Sequence, residues 1–213
     1  MSDDAYSGSA RVYDRFVEPM NAPLRRIAHR MCPPDPEWTV LDIGCGTGAA
    51  LAEYADVGCV VIGVDTSPSM IAAARERLGA DADLRLSDGA RLPVADGCAD
   101  LVLISLVLHS IPREDAVALL REAARALAPG GRVLVTDFGS GRLRFPRGWW
   151  TRAVTAVAEL LAGREHAAHA LAYVRQGGLP TLVAEAGLTM RMQQPTAGGN
   201  ITLAIIEATD GAE

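Results

Sequence analysis

The sequence contains no lysine, and all twenty of its basic residues are arginines. A chain without lysine cannot form a lysine Schiff base. It also lacks the lysine of a nucleotide-binding P-loop and that of a Tyr-x-x-x-Lys dehydrogenase pair. The arginines are outnumbered by 26 acidic residues, which gives a formal net charge of −6. Because nonspecific binding to nucleic acid needs a basic surface, we expect no nucleic-acid partner.

Cysteine pairs and long apolar runs are also missing. The four cysteines are widely spaced and include no Cys-x-x-Cys pair, so we expect neither a zinc knuckle nor any other metal site. Such cysteines are typical of reduced thiols in a cytoplasm. The polar, acidic N-terminus predicts no signal peptide, and no apolar run approaches the ~20 residues of a transmembrane segment. We therefore expect a cytoplasmic protein without a transmembrane segment; its oligomeric state is left open.

Strand-like and helix-like segments alternate along the 213 residues. This alternation predicts an α/β fold of the Rossmann-like, doubly wound class. We expect a mostly parallel seven-stranded sheet with an antiparallel last strand and helices on both faces. A leading helix over residues 11–31 should break at Pro19 and Pro23. The fifth strand should span residues 132–137, and one helical stretch should run from about Trp149 to Tyr173.

The strongest local signal is Leu41-Asp42-Ile43-Gly44-Cys45-Gly46-Thr47-Gly48. Its glycines permit a tight turn and let a ligand approach bare backbone, and the following helix presents its positive dipole end. A dinucleotide site would use Gly-x-Gly-x-x-Gly, which is one residue longer. An acid two residues before the first glycine would repel a diphosphate. It would suit a ligand that carries an ammonium and a carboxylate, such as the methionine part of S-adenosylmethionine.

Two further acids follow predicted strands. Asp65 ends the second strand, where an acid in a βαβ nucleotide fold hydrogen-bonds the ribose hydroxyls. A helix N-terminal charge before Ser67 is the alternative for Asp65. The Asp88-Gly89 pair follows the third strand, where a carboxylate can accept from the amine of adenine. An ordinary Asp-Gly turn is the alternative for that pair.

Four segments in order carry a family resemblance: VLDIGCGTG, VIGVD with SPSMIAAAR, SDGARLPVADGCADLVLISLVLHSI and LAPGGRVLVTDFG, all within residues 40–139. The sequence resembles the class I S-adenosylmethionine-dependent methyltransferases, especially the branch with quinone-biosynthesis and small-molecule enzymes. The resemblance implies S-adenosylmethionine as cofactor and a loop over residues 105–110 that flanks it. It implies a cofactor site comprising Asp42, Gly44, Cys45, Gly46, Asp65, Thr66, Met70, Asp88, Gly89 and Ser105.

Candidates for the substrate side are aromatic residues and one histidine. Tyr13 and Phe16 look like part of the substrate-covering helix of that branch. Trp149 follows a basic stretch and could belong to an acceptor lid, whereas for Tyr173 core packing is the alternative. His109 follows the fourth strand and is the candidate general base, with positioning of the loop as the alternative role. His166 and His169 share a helix face and are expected at the surface.

The resulting hypothesis is an enzyme that methylates a small-molecule or lipid-like acceptor by direct in-line transfer. Residues 1–213 would form one domain. Residues 1–36 would be lid helices, 37–139 the cofactor-binding core, 140–187 a helical substrate-side segment and 188–213 a strand hairpin. The alternatives are a nicotinamide-dependent oxidoreductase and a noncatalytic protein that binds S-adenosylmethionine. The acceptor itself stays open.

Overall fold

The computed structural model describes residues 10–89 and 91–208, and only the backbone of residues 10–20 and 162. Its contacts cluster into two compact units. Unit one falls within residues 1–104 and 125–131, and unit two within residues 105–124 and 132–213. Each unit is described by itself. The division of residues 1–213 into segments of one domain stays a prediction.

The strands follow the predicted sheet. They are β1 (Thr39–Ile43), β2 (Val60–Asp65), β3 (Asp83–Leu86), β4 (Ala99–Ser105), β5 (Leu127–Phe138), β6 (Leu188–Thr196) and β7 (Ile201–Ala208). The seven strands are ordered β3-β2-β1-β4-β5-β7-β6. β1 pairs in parallel with β2 and β4, and β2 with β3. β7 pairs antiparallel with both β5 and β6, which confirms the reversed last strand.

Unit one contains α1 (Ala10–Met31), α2 (Ala49–Val57) and α3 (Pro68–Leu78). The side chain of Ser67 caps α3 by accepting from the amide of Met70, and Pro68 occupies the first helical position. The start of α3 is thus set by the two residues at its boundary. Val40 and Leu41 of β1 are fully buried, as expected for a strand with parallel neighbours on both sides.

Unit two contains a short 3₁₀ helix (Leu108–Ser110), α4 (Arg113–Ala126), α5 (Arg147–Ala162), α6 (Arg164–Arg175) and α7 (Leu179–Ala186). The last two residues of α4 fall in unit one. α7 ends at Gly187, which adopts the left-handed conformation with φ 78°. Among the described residues, no helix combines the length and the apolar character that crossing a bilayer requires.

Three predicted boundaries were wrong. The stretch from Trp149 to Tyr173 is two helices, because Gly163 (φ 137°, ψ 158°) leaves the helical region. α1 runs through Pro19 and Pro23 without a break, since a proline removes one helical hydrogen bond and the flanking turns can keep theirs.

The third wrong boundary is the start of β5, which is Leu127 rather than Arg132. A Cβ on Gly131 would lie 3.1 Å from the carbonyl oxygens of both Ala99 and Asp100. The glycine therefore lets the early part of β5 lie against the backbone of β4, where the sequence suggested a turn.

Candidate functional site

The glycine-rich bend between β1 and α2 is built from left-handed backbone. Gly44, Gly46 and Gly48 have φ values of 72°, 53° and 75°. The amides of Gly44 and Cys45 both donate to the carbonyl of Val64 in β2, at 2.8 and 3.1 Å. A side chain at these positions would meet the steric cost of the left-handed region. The bend is thus a fixed turn attached to the neighbouring strand.

The glycines of this bend serve different purposes. A Cβ on Gly48 would lie 3.1 Å from Leu78 Cδ1 and 3.2 Å from Ala74 Cβ, so Gly48 is needed for packing against α3. A Cβ on Gly46 would meet nothing within 4 Å. Gly46 therefore faces open space, as expected where a ligand approaches bare backbone. No side chain caps the start of α2, so its first amides remain available to an anionic group.

Asp65 lies at the end of β2 and braces the bend. Its Oδ2 accepts from the amide of Gly46 at 2.8 Å, and its Oδ1 accepts from the amide of Ser67 at 2.9 Å. An ionised carboxylate offers about four lone-pair positions, so it can accept from several donors at the same time. The sequence did not indicate the bond to Gly46. Asp65 thus has a structural role in addition to the predicted ribose contact.

Asp42 is a buried acid with an orphaned oxygen. Its side chain is 2% exposed, and its Oδ1 has no hydrogen-bond partner among the described residues. Burial, together with repulsion from Asp65 and opposed by Arg25, raises the pKa of Asp42 to about 8. The carboxyl is therefore mostly neutral at pH 7, which weakens the predicted repulsion of a diphosphate. A cationic group beside Asp42 would favour its ionised form. The carboxylate oxygens could then accept hydrogen bonds from an ammonium.

Arg77 of α3 holds the bend from the other side, and sequence reasoning missed it. Its Nη1 donates to both the carbonyl oxygen and the hydroxyl of Thr47, each at 2.7 Å. Thr47 is itself buried. A guanidinium with several donors can tie a backbone carbonyl and a side chain together. The basic residues in the last turn of α3 were the sequence feature that could have indicated this contact.

The other predicted cofactor residues are distributed along the same unit, except Ser105. Cys45 is buried, and burial raises the pKa of its thiol, which disfavours the thiolate form. Met70 is buried in α3. Thr66 and Asp88 are exposed, and a Cβ on Gly89 would lie 3.7 Å from Thr66 Cγ2, so the Asp88-Gly89 loop lies beside Thr66.

The turn after β4 belongs to unit two and carries His109. Ser105 is exposed, and the next residue, Leu106, has φ 58°, which is unfavourable for a side chain of its size. The amide of Leu106 donates to the carbonyl of Thr136 at 2.7 Å. The amide of Leu108 donates to Asp137 Oδ2 at 2.9 Å. β5 therefore holds this strained turn in place.

His109 lies inside a buried polar cluster of unit two. Its Nδ1 is 2.7 Å from Asp137 Oδ1, and its Nε2 is 3.4 Å from Glu159 Oε1. The ring stacks on Phe138 with centroids 4.0 Å apart, and Tyr173 approaches edge-on at 6.5 Å. Asp137 is completely buried and also accepts from the amide of Phe138 at 2.6 Å. Sequence reasoning missed both carboxylates, although Asp137 ends the predicted fifth strand.

The electrostatics of this cluster favour a protonated histidine. Burial lowers the pKa of His109, but the charge and hydrogen bond of Asp137 and those of Glu159 outweigh it and raise the pKa to about 9. At neutral pH both ring nitrogens then carry protons. A base must be able to accept a proton, so this geometry favours the positioning role for His109. The catalytic role stays a prediction.

The remaining substrate-side candidates differ in exposure. Tyr173 is buried, its hydroxyl has no partner among the described residues, and burial raises its pKa well above the usual value. Trp149 is exposed and meets the ring of Phe145 edge-on. Tyr13 and Phe16 lie in α1, but their side chains are outside the described part of the chain.

The two histidines that were expected at the surface are partly exposed. His169 Nδ1 lies 3.1 Å from the carbonyl oxygen of Ser110. His166 lies one turn earlier in α6. Within the described residues, no group of three or more histidine, cysteine or acidic side chains could hold a metal ion.

Sequence comparison connects this geometry to known proteins. Residues 41–135 match the methyltransferase domain family. A demethylmenaquinone methyltransferase of Corynebacterium kroppenstedtii is 37% identical over 116 residues, which are 54% of this chain and 48% of that protein. A malonyl-acyl-carrier-protein O-methyltransferase of Pectobacterium atrosepticum is 34% identical over 151 residues, or 70% of this chain and 57% of that protein. The chain spans about half the length of these curated relatives.

A solved structure agrees with this result. The mitomycin 7-O-methyltransferase structure superposes with a TM-score of 0.61 and is 26% identical, covering 80% of this chain and 49% of that one. The matched domain begins in β1 and ends in β5, and it includes the glycine-rich bend, Asp42 and Asp65. Residues 41–135 therefore form a methyltransferase domain that is similar to those of the quinone-biosynthesis enzymes and of the mitomycin 7-O-methyltransferase.

Proposed function

We propose that the protein transfers a methyl group from S-adenosylmethionine to a small-molecule or lipid-like acceptor. One observation carries the cofactor half of this proposal: the orphaned oxygen of buried Asp42 lies just before a glycine bend whose Gly46 faces open space. The acceptor class is supported by the relatives, which are named for demethylmenaquinone and for a malonyl-acyl-carrier protein.

Different residues of unit one would bind different parts of the cofactor. Asp42 would hold the ammonium of the methionine part, and the backbone of Gly44 and Gly46 would lie against the same part. Asp65 would accept from the ribose hydroxyls, and Asp88 would accept from adenine. When bound, S-adenosylmethionine supplies a methyl group that its sulfonium already activates. The protein therefore mainly has to hold the ligand in a fixed orientation and keep water away from it.

His109, in unit two, would stay protonated and would not remove a proton from the acceptor. With its pKa near 9, the imidazolium can donate from both nitrogens, and Asp137 fixes its orientation. An acceptor that needs deprotonation would have to lose its proton elsewhere or arrive as an anion. This argument favours acceptors that are already nucleophilic, such as an electron-rich ring carbon or an ionised phenol.

A cytoplasmic location without a nucleic-acid partner is part of the same proposal. The four cysteines are free thiols and three of them are buried, which suits a reducing compartment. The net charge of −6 disfavours nonspecific binding to nucleic acid.

The function is tested in two steps. Calorimetry should detect S-adenosylhomocysteine binding and no binding of NAD or NADP, the ligands of the oxidoreductase alternative. Labelled S-adenosylmethionine is then incubated with the protein and a bacterial extract, and organic and aqueous phases are counted. Label in the organic phase supports a lipid-like acceptor, and label in the aqueous phase a polar one. Tight binding without transfer to either phase would favour the noncatalytic alternative.

We expect Asp65→Ala to weaken S-adenosylhomocysteine binding by about 1–3 kcal/mol, because a charged acceptor and the brace on Gly46 are lost together. Calorimetry measures the dissociation constant. Asp83→Ala is the matched control, since Asp83 is an exposed acid at the start of β3 that pairs with Arg85. An unchanged dissociation constant for Asp65→Ala would remove the ribose assignment.

We also expect ligand binding at pH 7 to release about one proton, because an ammonium beside Asp42 would lower a pKa that starts near 8. The release is measured from the binding heats of S-adenosylhomocysteine in buffers with different ionisation enthalpies. Asp42→Asn keeps the shape of the side chain and removes the titrating group, so the release should disappear. The same proton release in wild type and Asp42→Asn would contradict the assignment.

A further inference from the structure

The outer face of α5 is unusually apolar for an exposed helix. Phe145, just before the helix, is 82% exposed, Trp150 72% and Leu161 84%. The α5 apolar face comprises Phe145, Trp149, Trp150, Val154, Val157, Leu160 and Leu161, all of them at least 36% exposed. Scattered exposed apolar side chains are normal, but a contiguous group of this kind marks an interaction surface.

The spacing places these side chains together. Trp150, Val154, Val157 and Leu161 follow one another at intervals of four, three and four residues, which keeps them on one side of an α-helix. Phe145 extends the face beyond the start of the helix by its edge-on contact with Trp149, whose ring centroid lies 6.4 Å away. The α5 apolar face is therefore a continuous strip along the whole helix.

The opposite side of α5 is attached to unit two. The hydroxyl of Thr151 donates to the carbonyl of Ala197 at 2.8 Å. Arg152 donates to the carbonyl of Gly139. Glu159 turns toward His109, and its side chain is only 17% exposed. These contacts fix the helix, so that its apolar side faces solvent.

The charges next to the start of the strip are positive. Arg142, Arg144 and Arg147 precede the helix and are exposed. Residues 138–158 contain no acidic residue, although the whole chain carries a net charge of −6. Glu159, the acid within α5, belongs to the His109 cluster. The start of the strip therefore combines exposed aromatic rings with arginines, whereas the exposed acid Glu165 lies beyond its far end.

This combination points to a specific kind of surface. Tryptophan and phenylalanine partition into the boundary between headgroups and acyl chains, and arginines bind lipid phosphates. A second copy that packs in parallel along α5 is disfavoured because it would bring a second arginine group to the same place. We propose that α5 docks on an anionic lipid bilayer, with the α5 apolar face in the headgroup boundary and Arg142, Arg144 and Arg147 on phosphates.

The proposal does not depend on methyl transfer, because it uses only the surface of unit two. It implies a peripheral attachment, since the strip lies along a helix and does not provide a membrane span. Attachment of this kind is reversible and weakens as salt screens the arginines.

The test is sedimentation of the full chain with vesicles of phosphatidylcholine, with or without phosphatidylglycerol. We expect sedimentation with the mixed vesicles, little with phosphatidylcholine alone, and loss of binding in high salt. A Trp38→Phe background leaves Trp149 and Trp150 as the two tryptophans, so their emission should shift to the blue on binding. No sedimentation with the mixed vesicles, or equal sedimentation with both kinds, would overturn the proposal.

Two substitutions test whether the α5 apolar face is the part of the protein that contacts the lipid. Leu161→Glu should lower vesicle partitioning about tenfold or more, because an apolar anchor becomes an anion facing anionic lipid. Met192→Glu is the matched control, since Met192 is an exposed apolar residue (48%) on β6 and should bind like the wild type. Circular dichroism and thermal unfolding check that both variants fold. Equal partitioning of Leu161→Glu and wild type would overturn the proposal.

Light scattering without vesicles tests whether a second copy of the chain occupies the α5 apolar face. The protein should show no self-association that depends on Leu161. A dimer that Leu161→Glu dissociates would assign the α5 apolar face to a second copy and overturn lipid docking.

Discussion

Asp137→Ala should lower the free energy of unfolding by about 3–5 kcal/mol at pH 7, the cost of leaving a buried charge without its partner. Asp137 is completely buried, pairs with the His109 ring and accepts from the amides of Leu108 and Phe138. Its removal leaves a buried imidazolium and two amides unsatisfied at once. A loss of this size is a large part of the stability of a small domain. Urea unfolding followed by fluorescence and circular dichroism measures it.

Asp96→Ala is the control for Asp137→Ala. Asp96 pairs with Arg125, but its side chain is 73% exposed, so its loss should cost at most about 1 kcal/mol. If Asp137→Ala costs no more than Asp96→Ala, the buried cluster does not hold a charge.

The pH dependence gives a second check on the same cluster. The pKa of His109 in the folded protein is about 9, which lies above its ordinary value of 6.5. Its contribution to stability is therefore fully present below about pH 6.5 and is lost as the pH rises through 9. Asp137→Ala should reduce this dependence between pH 6.5 and 9. An unaltered dependence in the variant would show that another group causes it.

Gly46→Val should reduce S-adenosylhomocysteine binding by about 100-fold or more, equivalent to about 2.7 kcal/mol. Gly46 has φ 53°, and a Cβ there would point into open space. A branched side chain would occupy the space that the ligand needs, and it would strain the left-handed backbone. Calorimetry with the folded variant measures the effect.

Gly46→Val has two effects: it fills the ligand's space and it strains the backbone. The control variant Gly187→Val separates them. Gly187 has φ 78° and is also open around its Cβ position, but it ends α7 in unit two. Gly187→Val should carry the backbone strain and keep normal binding, whereas Gly46→Val should lose binding. Normal affinity in folded Gly46→Val would contradict the assignment of the bend to the cofactor.

Predictions from sequence succeeded where the signal was local. The order of the strands along the chain depends on short runs of neighbouring residues, and it was confirmed. The break at Gly163 was missed because glycine is also tolerated inside helices, at a cost that the surrounding packing can offset. The early start of β5 was missed because Gly131 is needed for contact with residues that lie some 30 positions earlier.

The sequence by itself determined the fold class, the resemblance to methyltransferases over residues 41–135 and the acids at the glycine-rich bend, because turn chemistry and short motifs act over a few residues. Only the tertiary structure decided the charge states. Asp42 becomes neutral, and His109 keeps its proton, because burial and partners from distant segments set their pKa values. It also decided which face of α5 remains exposed, since an amphipathic pattern does not say what covers its apolar side.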